Sequence, residues 1–140
     1  MYFDPENPVV KLCAKGMEME GLANPDKAAI LFKKAWDLAA SPFEKFTAAH
    51  YLARHQTSIS EKLKWDTVAL ENALKIPHHT KAALPSLYLN IGKCHKDLGN
   101  KPSALENYKK AQSHTDQLDD DGYGQLLKNG IENGIKRVQL

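Results

Sequence analysis

PSLYLNIGKCHKDLGNKPSALENYKKA, residues 85–111, carries two amphipathic helical patterns on either side of a short Leu98-Gly99-Asn100 turn. In the first, Tyr88, Ile91 and His95 recur at helical spacing behind Leu84, and Gly92 removes a side chain where a partner helix can approach closely. In the second, Ala104, Tyr108 and Ala111 form a small-large-small stripe. A helical pair of this kind leaves apolar faces that it cannot cover by itself, so it needs neighbours.

The same pattern stands 76 residues upstream, where Gly16, Ala28, Phe32 and Ala35 match Gly92, Ala104, Tyr108 and Ala111. An offset of 76 is twice 38, and Ala73 lies midway between Ala35 and Ala111, so a middle copy is expected. In that copy Arg54 stands in the register of the two glycines and Asp66 in the register of Ala28 and Ala104. Those positions meet where paired helices cross, so the register predicts a partly buried Arg54–Asp66 ion pair. The alternative is a one-residue slip that leaves both side chains in water.

Residues 85–111 resemble a tetratricopeptide repeat. Tyr88, Ile91, Gly92 and His95 fall on the first-helix signature positions and Ala104, Tyr108 and Ala111 on the second-helix ones, with Asp116 where the family often has Pro; His95 departs from the usual Tyr. The resemblance implies an all-α fold, a right-handed α-α superhelix of about seven antiparallel-stacked helices. It further implies one repeat domain over 1–140, with repeats at about 9–42, 47–80 and 85–118 and a capping helix at about 121–138. The family's repeat is about 34 residues long, so this chain carries roughly one extra helical turn per repeat. The insertions fall at 43–46 and 81–84, where Phe46 and Leu84 correspond and are expected to cover the preceding pair.

Caps and prolines place the helices. Asn7-Pro8 and Asn24-Pro25 open helices one and two, the first running to about residue 22. Ser41-Pro42 with Glu44 is a capping box for helix three, expected over 42 to about 57. Helix four follows over about 60–75 and ends at Ile76-Pro77-His78-His79. Helix five starts between Thr80 and Pro85, and Asn100 with Pro102 opens helix six. Near Asp121 a last helix begins, with an apolar face of Tyr123, Leu126, Leu127, Ile131, Ile135 and Val138; its glycines suit close docking as a cap.

Composition excludes several classes of function. Lys plus Arg is 19 against 17 for Asp plus Glu, too balanced for a nucleic-acid or anionic-membrane surface. No apolar run reaches membrane length and no leader pattern opens the chain, so the expected compartment is the cytoplasm. Cys13 and Cys94 form no metal or redox motif and read as buried apolar residues. His50 and His55 do not share a helix face, and His78-His79 has no accompanying ligand pattern. Asp119-Asp120-Asp121-Gly122 lacks the ligand ladder of an EF-hand and reads as a cap. With no phosphate loop and no nucleophile elbow, the chain reads as a non-enzyme without cofactor or metal.

The resemblance instead implies a concave groove lined by the first helices of the repeats, the family's usual peptide-binding face. By register its candidate residues are Cys13, Met17, Tyr51, His55, Leu89, Asn90, Lys93 and Lys96. The family's clamp for chaperone carboxylate tails is not retained, since Cys13, Met17, Leu52, Ser86 and Asn90 occupy its positions. The expectation is a protein- or peptide-binding scaffold whose partner the sequence does not name. The first alternative is a self-associating homodimer, and a further one is a small-ligand protein or enzyme built around His50, His95 or Cys94.

Overall fold

A computed structural model describes residues 4–76 and 81–139. All regular structure among them is helical: α1 (Pro8–Gly21), α2 (Pro25–Leu38), α3 (Pro42–Ala53), α4 (Ile59–Ala73), α5 (Leu84–Asp97), α6 (Lys101–Ser113) and α7 (Gly122–Gln139), with 3-10 turns at Lys81–Ala83 and Thr115–Gln117. The chain divides into two compact units, Met1–Ile76 and Pro77–Leu140. In the first, α1 pairs with α2 and α3 with α4, and α3 also packs on α1 and α2. In the second, α5 pairs with α6, and α7 lies against both.

The starts follow the caps. The Asn7 side chain accepts hydrogen bonds from the Val9 and Val10 amides at 2.8 and 3.2 Å, ahead of Pro8. Ser41 and Glu44 close the capping box, and the second Glu44 oxygen accepts from Asn7 Nδ2 at 3.0 Å, which ties the starts of α1 and α3 together. The Ala40 and Ser41 amides and the Asn7 side chain hold the Glu44 carboxyl below its ordinary range. Ser58 and Asn100 cap α4 and α6, and Asp121 Oδ1 accepts from the Gly124 amide at 2.7 Å within the first turn of α7.

One boundary differs from expectation. Helix α3 ends at Ala53 rather than near residue 57, because the amides of Arg54, His55 and Gln56 bond to carbonyls three residues back instead of four. Lys81–Ala83 forms a separate 3-10 turn, and α5 begins at Leu84, inside the expected 80–85 range, with Pro85 in its first turn, where a missing N–H costs nothing. Phe46 and Leu84 are both buried. The expected helix break at Pro77-His78-His79, and Tyr2 and Phe3, the alternative occupants of the groove from within the chain, lie outside the described residues.

The turns after α1 and α5 have one geometry. Asn24 donates to the Met19 carbonyl at 2.9 Å and Asn100 to the His95 carbonyl at 2.8 Å, each closing a helix end around a left-handed residue. That residue is Gly99 in one turn, at φ 82°, and Ala23 in the other, at φ 57°.

Each unit is packed through a glycine opposite a ring. Phe32 lies against Gly16, where an added Cβ would overlap the ring. Tyr108 lies against Gly92 in the same way, at 2.6 Å from where a Cβ would stand. The small positions beside them, Ala28, Ala35, Ala104 and Ala111, are fully buried, as is Ala73 of the middle copy. Burying a ring of this size contributes roughly 2–3 kcal/mol, so the glycines serve close approach rather than flexibility. Terminal helix α7 adds a second contact to Tyr108 through Gly134, whose Cβ would stand 2.8 Å from the ring. Along α7, Leu127, Ile131 and Val138 are buried, whereas Tyr123 and Leu126, expected on the same face, are 59% and 67% exposed.

The middle crossing departs from the expected ion pair. Asp66 is only 2% exposed, in keeping with its register beside Ala28 and Ala104. Arg54, at the end of α3, turns outward to Glu20 of α1 at 2.8 Å and lies over the Tyr51 ring. A guanidinium reached by solvent and given a carboxylate escapes the desolvation that the buried crossing would impose.

Candidate partner-binding site

Of the eight residues expected to form a groove, Cys13, Met17, Tyr51 and His55 belong to the first unit and Leu89, Asn90, Lys93 and Lys96 to the second. Three of the first four come together. Val10, Cys13, Ala14 and Met17 from α1 and Thr47 and Tyr51 from α3 line a hollow of about 210 Å³. Its walls are almost wholly apolar, since the Thr47 hydroxyl donates to the Phe43 carbonyl at 2.8 Å within its own helix. Met17 is 42% exposed, whereas Cys13 is buried. Burial pushes the Cys13 thiol up to about 11, so at neutral pH it is a protonated, weakly nucleophilic wall residue.

Tyr51 is fixed in this wall by three neighbours. Its ring stacks on Phe32 at 5.3 Å, meets His50 edge-on at 5.3 Å and lies 4.7 Å from the Arg54 guanidinium. Burial raises its phenol above the ordinary value, a shift opposed by Arg54. His55 is engaged elsewhere: Nε2 lies 2.7 Å from Glu20 and the ring packs on Phe32. Glu20, which accepts from both Arg54 and His55, carried no motif in the sequence. Only its position on the last turn of α1, beside the end of α3, gives it a role.

In the second unit one of the expected residues is interior. Leu89 is 4% exposed and lies under α7, its Cδ2 3.5 Å from where a Cβ on Gly130 would stand. It is a packing residue of that unit. Asn90 is half-buried, Lys93 is exposed and Lys96 Nζ stands 3.8 Å from Asp97.

A second hollow of about 300 Å³ flanks α1, lined by Pro5, Val10, Lys11, Leu12, Ala14 and Lys15. Val10 and Ala14 thus border both hollows. Among the described residues no group of three or more His, Cys, Asp or Glu side chains converges as a metal site, and no helix is long and apolar enough to cross a membrane. Comparison with protein-family models, with curated proteins and with solved structures gave no significant match.

Proposed function

We propose that this chain is a non-catalytic protein- or peptide-binding module of the tetratricopeptide kind, working in the cytoplasm, and that α1 and α3 hold its partner. The observation that supports this most is the apolar hollow between Val10, Cys13, Ala14, Met17, Thr47 and Tyr51. It has the size of one large apolar side chain, its polar groups are already satisfied, and Tyr51 is braced by rings and a cation rather than free to collapse into it. Such a hollow takes an anchoring side chain from another chain, as buried anchors do at interfaces. The Cys13 thiol, kept protonated, supplies wall area and not chemistry.

Affinity capture with the wild-type chain and a Met17→Glu, Tyr51→Ala variant tests the reading. Partners captured by the wild type are expected to be lost from the variant. Retention of all of them by a folded variant overturns it. A second reading, self-association, draws on Tyr123 and Leu126, which stand one turn apart and exposed on α7. Sedimentation that shows a dimer dissolved by Leu126→Glu would favour it.

A further inference from the structure

We propose that the partner on this face is an amphipathic α-helix of another protein, laid along α1, with acidic residues opposite Lys11 and Lys15 and a basic residue opposite Glu18. This rests on the binding reading above and names the chemistry of the partner.

Helix α1 has more than one apolar line. Val9, Cys13 and Gly16 face the interior and are buried. Beside them Val10, Ala14 and Met17 follow at i, i+4 and i+7, half-buried to exposed. Helix geometry places these three on one face, adjacent to the core line but outside it. Because Val10 and Ala14 border both hollows, the line is a ridge with an apolar depression on either side. A ridge between two depressions is what a second helix packs against, its own side chains entering the grooves.

Charge supplies the second half of the argument. One residue further round the helix, Lys11, Lys15 and Glu18 repeat the same i, i+4, i+7 spacing, so a charged border runs parallel to the apolar ridge. Lys15 and Glu18 form no ion pair among the described residues, and Lys11 has only the exposed Glu6, at 3.2 Å. An exposed pair of this kind is readily exchanged for a better partner. The border therefore reads basic, basic, acidic, and its complement reads acidic, acidic, basic, which also sets the direction of the incoming helix. An extended peptide fits less well, because its same-side residues recur about every 6.6 Å against a helical pitch of about 5.4 Å. A second copy of α1 fits less well too, since symmetric pairing brings Lys15 close to Lys15 of the other copy.

The test uses the full chain and three synthetic helical peptides that share one leucine stripe and differ only in flanking charge: Glu-Glu-Lys, Lys-Lys-Glu, and glutamine throughout. Binding is read by fluorescence anisotropy at low and high salt. The Glu-Glu-Lys peptide is expected to bind at least about tenfold more tightly than the Lys-Lys-Glu peptide, with the gap closing at high salt. Lys11→Glu with Lys15→Glu should invert the order, and Met17→Glu should abolish binding of all three with the circular dichroism spectrum unchanged.

Equal binding of the three peptides overturns the proposal, as does binding that survives Met17→Glu, or no binding at all. A constitutive dimer that Met17→Glu dissociates assigns the face to a second copy and also overturns it. An unbiased displayed peptide library, selected in parallel, separates this proposal from the reading beneath it. If selected peptides depend on Met17 and Tyr51 but lack the acidic flank, the helix proposal falls and the binding reading stands. If no selected peptide depends on either residue, both fall.

Discussion

Arg54 Nη2 donates to Glu20 Oε1 at 2.8 Å, and the other Glu20 oxygen meets His55 Nε2 at 2.7 Å. One carboxylate thus joins the last turn of α1 to the end of α3. The Arg54 side chain is 46% exposed, which limits what the pair contributes. A double-mutant cycle on Arg54 and Glu20 is expected to give a coupling of about 0.5–1 kcal/mol, measured by urea denaturation. The same cycle on Arg54 and Asp66 should give a coupling near zero, and a larger value there than for Glu20 would contradict the assignment.

Ala23 adopts in the first unit the left-handed turn that Gly99 adopts in the second, at φ 57° against 82°. An L-residue with a Cβ is penalised there by about 1 kcal/mol. Ala23→Gly should therefore stabilise the chain by about that amount, and Gly99→Ala should destabilise it similarly. Thermal denaturation of both variants checks the pair of signs; a destabilising Ala23→Gly would contradict it.

A methyl group at Gly92 would stand 2.6 Å from the Tyr108 ring, and one at Gly16 would overlap Phe32. Either ring must then shift within a packed interior, so Gly16→Ala and Gly92→Ala should each cost about 1–3 kcal/mol. Tyr108→Leu in the Gly92→Ala background should recover part of the loss by making room. Unfolding midpoints of the single and double variants decide this, and additive losses would show that the ring is not what the methyl meets.

His50 has a buried Nδ1 with no hydrogen-bond partner among the described residues. Burial first, and the nearby Arg54 second, push its imidazole below the ordinary 6.5. The unfolded chain therefore takes up a proton before the folded one does. Stability from this group is fully present above pH 6.5 and falls as the pH drops through 6.5 toward the folded value. His50→Leu should flatten that fall in a pH series of denaturation curves, and should not destabilise at pH 5 as a hydrogen-bonded histidine would. Histidine chemical shifts in the wild type should give a midpoint below 6.5.

The helices and their starts were legible because their signals are local. Asn7-Pro8, Asn24-Pro25 and Ser41-Pro42-Phe43-Glu44 each fix a cap within four residues, and the structure uses all three. The echo between Gly16 with Phe32 and Gly92 with Tyr108 was legible because a missing Cβ opposite a ring repeats in register. Arg54 was not, since register reports which face a side chain leaves from and not how far a long one can reach. Ala23 was hidden for a different reason: its left-handed backbone is imposed by the turn and leaves no glycine to read. Within the candidate site, Cys13, Met17 and Tyr51 were nominated by register through the family resemblance, while Glu20 and Thr47 depend on which helices meet.

Gly92 and Gly134 approach one Tyr108 ring from two different helices. That ring therefore acts as a gauge block: its thickness sets the separation of α5, α6 and α7 together. Exchanging it for a smaller side chain, with alanine returned to one glycine and then to the other, would move one helix at a time. The second unit can in this way be re-spaced through a single central residue, without rewriting its surface.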